Sequence, residues 1–263
     1  MPQVQRRSAG ALVFPVVLLV AVGAGVVLAG RPGSPGPWVF LLVLAGWVVT
    51  LCLHEFAHAA TALAGGDTSV RGRGYLTLNP LRYTDPTFSL ILPAVLLAAG
   101  GIPLPGGAVL IESHRLRARW WSSAVSAAGP LTNLVLGVVF SLGARALSDA
   151  SVGATPADQF LTASPLVAGL SFLAVLQFVA AILNLLPVPG LDGFGIIAPY
   201  LSGVANQWIA KIRPFAPLVL FALLWTSPRV SDALFNPAFS ALELFGGSGT
   251  AARYGAGLFQ FWR

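Results

Sequence analysis

The sequence predicts an all-α polytopic membrane protein with about five or six transmembrane helices. Of its 263 residues, 56% are hydrophobic and only 9% are charged, and the mean hydropathy is +0.80. Soluble globular domains carry about 25% charged residues, so this composition lies well outside their range. The apolar residues fall into blocks at about 9–30, 38–64, 87–102, 122–147, 165–186 and 214–227.

The first block, residues 9–30, follows Arg6 and Arg7 and is predicted to be a retained N-terminal anchor helix. It has about 20 residues, enough to cross a bilayer and more than the roughly 7–15 of a signal peptide's apolar region. We expect a single domain over residues 1–263, with its core at 38–203 and C-terminal helices and an interfacial tail at 204–263.

The third block, residues 87–102, is short and contains Pro93, which favours a re-entrant segment over a full crossing. Arginines stand on both sides of this block. If both groups are cytoplasmic, as the positive-inside rule prefers, the block must return to the side from which it entered. The arginines concerned are Arg71, Arg73 and Arg82 before the block and Arg115, Arg117 and Arg119 after it.

The overall basic charge has two explanations. A formal charge of +6 and a pI of about 10.4 would suit nucleic-acid binding. The arginines are scattered between apolar blocks, however, whereas a nucleic-acid site gathers them into one patch. We therefore expect no nucleic-acid partner, and we assign the arginines to loops that orient the protein in the lipid bilayer.

The second block, residues 38–64, contains three ionisable side chains within five residues: His54, Glu55 and His58. An ionisable group in the hydrocarbon region costs roughly 2.5–3.5 kcal/mol on insertion scales, so this cluster needs a partner. Side chains four residues apart share one helix face, so both histidines can bind one metal ion. Glu55 lies about 100° around the helix, suited to a general base beside a zinc site. The alternative is a buried polar cluster without metal.

The third ligand is predicted in the segment from Asn184 to Gly193, where two prolines and two glycines follow the fifth block. A regular helix cannot continue through these residues, so Asp192 is expected on a broken helix end. If residues 87–102 are re-entrant, Asp192 reaches the same side of the membrane as His58. With a full crossing it would lie roughly 30 Å away, at the opposite face.

These motifs resemble those of the site-2 protease family of intramembrane zinc metalloproteases. Four patches carry the resemblance: H-E-x-x-H at 54–58, L-N-P with a later D-P at 78–86, A-G-P-L-x-N at 128–133, and N-x-x-P-x-P-x-L-D-G at 184–193. The chain departs from many members of this subgroup at Tyr83, where they have histidine, and at residues 101–105, where they have a loop with lysine. We expect a minimal catalytic core without PDZ or CBS modules.

The resemblance implies roles for five residues. His54, His58 and Asp192 would bind one zinc ion per chain. Glu55 would be the catalytic acid and base, and Asn184 would help to hold the scissile carbonyl. Two imidazoles and one carboxylate leave the fourth tetrahedral position open for water, which is typical of hydrolytic zinc sites.

Three further residues are candidates for substrate binding. Residues 70–78 alternate loosely, with Tyr75 and Thr77 on one side, which predicts a short strand or hairpin. An edge strand can hold an extended substrate by strand addition. Asn133 is predicted to make an interhelical hydrogen bond, with direct catalysis as the alternative. Asp85 is not one of these three: it is assigned to a helix N-cap, with a role in substrate access or as a polar support to the site as the alternative.

The C-terminal region is predicted to lie at the membrane surface. Phe235, Phe239 and Leu242 share one helix face, which favours an interfacial helix. An aromatic membrane-surface anchor is predicted at Phe259, Phe261, Trp262 and Arg263.

The functional prediction is a zinc-dependent intramembrane endopeptidase in a bacterial plasma membrane, with its active site toward the cytoplasm. The substrate implied by the resemblance is a single-pass membrane protein already shortened by another protease. One alternative is a catalytically inactive homologue that binds membrane proteins. Another is a metal transporter, although a transport path would need more polar residues on several helices.

Overall fold

The computed structural model describes residues 12–82, 111–149, 164–213 and 215–263, and the regular structure in these ranges is entirely helical. The first half contains α1 (Val13–Ala29), α2 (Gly36–Gly65), α3 (Ser69–Arg73) and α4 (Arg119–Asp149). The second half contains α5 (Pro165–Leu185), α6 (Asp192–Ile197), α7 (Gly203–Ile212), α8 (Ala216–Thr226), α9 (Pro228–Leu244) and α10 (Gly249–Phe259). Short 3-10 helices lie at Tyr75–Thr77, Pro80–Arg82, Ser113–Arg115 and Ala198–Tyr200.

Three of the described helices are long and apolar enough to cross a membrane: α2 with 30 residues, α4 with 31 and α5 with 21. Helices α8 and α9 meet at an angle of 92° and would count together as a fourth span. Helix α1, the predicted anchor, is apolar but has only 17 residues. The re-entrant segment predicted at 87–102 lies outside the described residues, as do Tyr83 and Asp85.

The three long helices form the centre of the molecule, and small residues stand where they approach one another. Gly46 of α2 faces the Leu173 side chain of α5, and Gly137 of α4 faces the ring of Phe178. A Cβ atom at either glycine would overlap the opposing side chain. Small residues allow this close approach, which membrane helices use because the hydrophobic effect does not drive their association within lipid.

The helix break predicted after Asn184 is present. Helix α5 ends at Leu185, and α6 begins at Asp192. Between them Gly190 has a φ of +104°, in the left-handed region that favours glycine. The break turns the chain back toward α4, where the Ser123 hydroxyl donates to the carbonyl oxygen of Ile196 at 2.7 Å.

The predicted strand at 70–78 is wrong, because this segment forms helix α3 followed by a 3-10 turn. Asp67 starts the helix by accepting a hydrogen bond of 2.9 Å from the backbone N–H of Ser69. Gly74 and Leu78 then adopt left-handed conformations, with φ values of 75° and 54°, which end each turn. Tyr75 is buried, and the Thr77 hydroxyl donates to the carbonyl oxygen of Gly74.

The predicted C-terminal anchor is corrected at one residue. Phe259 is only 1% exposed and its ring stacks on that of Phe40, with the centroids 5.2 Å apart. It belongs to the core because α10 packs against α5 and α2. Phe261 and Trp262 remain about half exposed. Leu242 of the predicted interfacial helix is fully buried against α5.

Candidate metal centre

Helix α2 carries the H-E-x-x-H motif within its span. His54, Glu55 and His58 are 6%, 3% and 6% exposed. His54 lies 11 residues before the end of the helix at Gly65, about 16 Å at 1.5 Å per residue. The pair of histidines four residues apart brings their Nε2 atoms to 3.0 Å from each other. The helical geometry expected from the sequence is therefore present.

Asp192, the first residue of α6, meets both histidines. Its Oδ2 atom lies 3.3 Å from the Nε2 atom of His54, and its Oδ1 atom lies 3.4 Å from that of His58. One ligand atom from each of the three residues lies within 4.8 Å of the others. Asp192 follows His58 by 134 residues in the sequence (192 − 58). The helix break after α5 thus brings a distant carboxylate to the two histidines.

These separations suit zinc. In tetrahedral coordination with bonds of about 2.0–2.1 Å, two ligand atoms lie roughly 3.3–3.4 Å apart. The two contacts of Asp192 match this value, and the separation of the histidine nitrogens is slightly shorter. Two imidazoles and one carboxylate are also the donor set of zinc hydrolases that keep one position open.

The histidine tautomers support a cation at the same place. The Nδ1 atom of His58 lies 2.6 Å from the carbonyl oxygen of Val125, which can only accept, so this nitrogen carries the proton. The Nδ1 atom of His54 lies 3.3 Å from Oδ1 of Asn133. Both Nε2 atoms then direct lone pairs toward the Asp192 carboxylate. When both imidazoles are neutral, a cation held between these three ligands completes the arrangement.

Helix α4 forms one wall of this centre through Gly129. A Cβ atom built at this glycine would overlap the Nε2 atoms of both histidines. The A-G-P-L-x-N motif therefore contributes in two ways. Gly129 allows the backbone to approach the ligands, and Asn133, one turn later on the same helix, contacts the His54 ring.

The metal-binding group opens into a cavity of about 900 Å³. Glu55 and Asn184, the two residues predicted to take part in catalysis, both line this cavity. Asn184 is 6% exposed and lies in the last turn of α5. Gln177, two turns earlier on the same helix, also lines the cavity, although its sequence context alone did not select it. The signal was present, because Gln177 is an amide within a long apolar block.

The three candidates for substrate binding have different surroundings. Asn133 lines the cavity and contacts a predicted ligand. Tyr75 packs in an apolar cluster with Cys52 and Val125, while Thr77 is exposed. Because the strand on which Tyr75 and Thr77 depended is absent from residues 70–78, their proposed role loses its structural basis.

Comparison with known proteins agrees with this geometry. The family model for peptidase family M50 matches residues 39–226, which include all three metal-binding candidates. The chain belongs to peptidase family M50. The resemblance to site-2 proteases inferred from the four motifs is thereby confirmed.

Similar curated proteins carry the same assignment in their names. The zinc metalloprotease named Rip2 of Mycolicibacterium smegmatis is 43% identical over 224 residues, which cover 85% of this chain and 82% of the relative. Rip2 of Mycobacterium tuberculosis strain H37Rv is 40% identical over 252 residues, covering 93% and 90%. YwhC of Bacillus subtilis, also named a zinc metalloprotease, is 29% identical over 193 residues, covering 72% and 81%. No solved structure gives a significant match.

This M50 protein is therefore a zinc metalloprotease, and its cofactor is zinc. Its membrane-length helices make it an integral membrane protein. The ionisable residues within helix α2 gain a physical explanation from this assignment. A metal ion compensates the cost of placing His54, Glu55 and His58 inside an apolar span.

Proposed function

We propose that this M50 protein hydrolyses a peptide bond within or beside the transmembrane segment of a membrane-protein substrate. The observation that carries the proposal is the position of the zinc-binding group. His54 and His58 lie inside a helix of membrane length. Both line a cavity that is also lined by Glu55 and Asn184. A protease built to cleave soluble loops would not need its catalytic residues at this depth.

His54, His58 and Asp192 hold the metal in this proposal. When bound, zinc supplies Lewis-acid chemistry, polarising the scissile carbonyl and lowering the pKa of water. Asn133 and the Val125 carbonyl accept hydrogen bonds from the two imidazoles and so keep each Nε2 atom directed at the site.

Glu55 and Asn184 act on the reacting atoms. Glu55 accepts the proton of the attacking water and passes it to the nitrogen of the leaving amine, which general acid and base catalysis requires. Asn184 donates its side-chain amide to the oxygen on which negative charge develops. A donor of this type stabilises the transition state by roughly 3 kcal/mol.

The active site is proposed to face the cytoplasm. The cavity is lined by Ser113 and Arg119. These two residues flank Arg117, whose backbone N–H donates to the Gly65 carbonyl oxygen at the end of α2. Arginines concentrate on the cytoplasmic side of membrane proteins. Arg73 and Arg115 both pair with Glu112 at this end.

The test is cleavage of a detergent-solubilised single-pass substrate by wild-type protein and by Glu55→Gln, with zinc measured on the same samples. Glu55→Gln is expected to retain about one zinc per chain and to lose about 10⁴-fold or more in turnover, because it removes both the general base and the group that orients the attacking water. His54→Ala, His58→Ala and Asp192→Ala are expected to lose zinc as well as activity.

Two results would contradict this assignment. Activity of Glu55→Gln above about a tenth of wild type at full zinc occupancy would exclude Glu55 as the base. Full zinc occupancy in Asp192→Ala would remove Asp192 from the ligands. The same substrate with and without its extracytoplasmic domain tests prior shortening, since we propose that the shortened form is cleaved faster.

A further inference from the structure

Gln177 has no partner for its side-chain amide nitrogen among the residues that the structure describes. It is 1% exposed, lies on the otherwise apolar helix α5, and lines the cavity of the metal centre. Burying an amide donor without a hydrogen bond is unfavourable. Polar side chains inside membrane helices are accordingly rare and mark functional sites. Gln177 therefore places a buried amide donor beside the cavity, and no described residue accepts a hydrogen bond from it.

Its position relative to Asn184 is fixed by the helix. Asn184 follows Gln177 by seven residues. At about 100° per residue, the side-chain direction rotates by about 700°, within roughly 20° of two full turns, so both amides share one helix face. The same steps separate them by about 10.5 Å along the axis. Trp47 and Thr50 of α2 also line the cavity. The Thr50 hydroxyl donates to the Trp47 carbonyl oxygen at 2.8 Å.

The distance between the two amides corresponds to a length of extended peptide. A chain in β conformation advances about 3.3–3.4 Å per residue, so 10.5 Å is spanned by about three residues. If Asn184 contacts the scissile carbonyl, Gln177 lies beside the main chain about three residues farther into the membrane. An unwound substrate presents carbonyl oxygens there that neither water nor its own helix can satisfy.

We propose that Gln177 donates its side-chain amide to a main-chain carbonyl of the substrate, about three residues from the scissile bond on the membrane-interior side. The proposal deepens the proposed function and rests on it. A main-chain carbonyl is common to all amino acids, so this contact recognises conformation rather than sequence. It discriminates against helical substrates, because in a helix that carbonyl is already bonded within the helix.

The first test is Gln177→Met, which keeps a similar side-chain volume but removes the donor. KM for the transmembrane substrate is expected to rise about tenfold with little change in kcat, because the lost contact exists in both ground and transition states. Zinc content should be unchanged, and thermal stability should be equal or higher, since an unsatisfied buried group is removed. An unchanged KM would overturn the proposal.

The matched control is Ser171→Ala. Ser171 lies on the same helix, is fully buried and also lacks a partner among the described residues, but it does not line the cavity. The control should leave KM unchanged. An equal rise of KM in both variants would mean that any buried polar group on α5 has this effect, and the proposal would fail.

The second test reads binding without catalysis. Gln177→Cys and Asn184→Cys, each in a Cys52→Ser background, are offered a substrate that carries a single cysteine moved along its transmembrane segment. Disulfide crosslinks from position 177 should form about three residues deeper than those from position 184. Crosslinks at 184 but none at 177 would overturn this proposal and leave the proposed function intact. Absence of crosslinks at both positions would contradict the proposed function itself.

Discussion

Gly129 lies so close to His54 that a Cβ atom on the glycine would overlap the Nε2 atom of the imidazole. The same Cβ atom would overlap Nε2 of His58. The backbone of helix α4 therefore forms a wall of the metal centre in direct contact with the two imidazoles. Because both overlapping atoms are the ones directed at the metal, the size of residue 129 controls the geometry of the centre directly.

Gly129→Ala is expected to lower zinc affinity by at least tenfold. The added methyl group must displace one or both imidazoles, and overpacking of this kind typically costs about 1–3 kcal/mol. Zinc content after dialysis against a weak chelator measures the effect. Gly143→Ala is the matched control, because it lies on the same helix with no atom within 4 Å of its built Cβ position. Equal zinc retention by the two variants would contradict the proposed wall.

Asn133→Leu is expected to reduce zinc affinity by about 10–100-fold, with catalytic activity falling in parallel when zinc is limiting. The substitution removes the acceptor that orients the His54 ring at 3.3 Å, and such supporting contacts typically contribute this much to metal binding. Competition with a zinc-sensitive dye gives the affinity. Asn133→Asp, which keeps an acceptor oxygen, should retain most of it. If both variants bind zinc as wild type does, Asn133 does not position His54.

The metal centre was predictable because ionisable side chains in an apolar span have a high free-energy cost unless a partner compensates them. His54, Glu55 and His58 require compensation inside α2, and the prolines and glycines before Asp192 require a broken helix. The charge rule then favoured a topology in which these elements meet. The contact between His58 and the Val125 carbonyl was not predictable, because a backbone acceptor leaves no signature in the side-chain pattern.

The strand prediction at 70–78 failed for a local reason. A loose alternation over nine residues is weak evidence, and it ignored the helix-starting hydrogen bond from Ser69 to Asp67. The prediction that Phe259 lies at the membrane surface was wrong for a nonlocal reason. An aromatic cluster near the end of a membrane protein suggests an interfacial anchor, but the fold places a groove between α2 and α5 where this ring is buried.

Asp67 is expected to stabilise the end of the molecule that contains residues 66–82 and 111–118 through three hydrogen bonds that its carboxylate accepts. Its carboxylate accepts from the hydroxyl and backbone N–H of Ser69 and from the backbone N–H of Glu112. Asp67→Asn replaces one acceptor with a donor and should cost about 1–3 kcal/mol. Thermal unfolding in detergent at pH 7 measures the loss. Asp149→Asn, at an exposed pair with Arg145, is the control and should cost little.

The contribution of Asp67 should also depend on pH. Burial alone raises the pKa of Asp67, but the hydrogen bonds from Ser69 and Glu112 outweigh it and hold the pKa below its ordinary value. A carboxyl group with a lowered pKa in the folded state contributes its stability above its unfolded pKa, about 3.9. That stability is lost as the pH falls through the lower folded value. The difference between wild type and Asp67→Asn should therefore be constant from pH 7 to about pH 5 and shrink below about pH 4. A difference that grows on acidification would contradict this role.

The ends of α2 and α4 are tied together, which gives a topological prediction. The backbone N–H of Arg117 donates to the Gly65 carbonyl oxygen at 2.9 Å, and Arg73 pairs with Glu112. Residues 66–82 and 111–118 therefore lie at the same end of the molecule. By the positive-inside rule, this end is expected to be cytoplasmic.

Cysteine labelling can decide both parts of this prediction, because Cys52 is the only cysteine of the chain and is buried. In a Cys52→Ser background, Thr68→Cys and His114→Cys should react with an impermeant maleimide only after the cells are permeabilised. Gly33→Cys, before the start of α2, should react in intact cells, because α2 has 30 residues and separates the two ends by about 45 Å. Reaction of both Thr68→Cys and His114→Cys from outside would reverse the orientation while preserving the shared end. Reaction of only one of them from outside would place the segments before and after residues 83–110 on opposite sides of the membrane. It would also remove the arrangement by which the Asp192 segment and the two histidines share one side of the membrane.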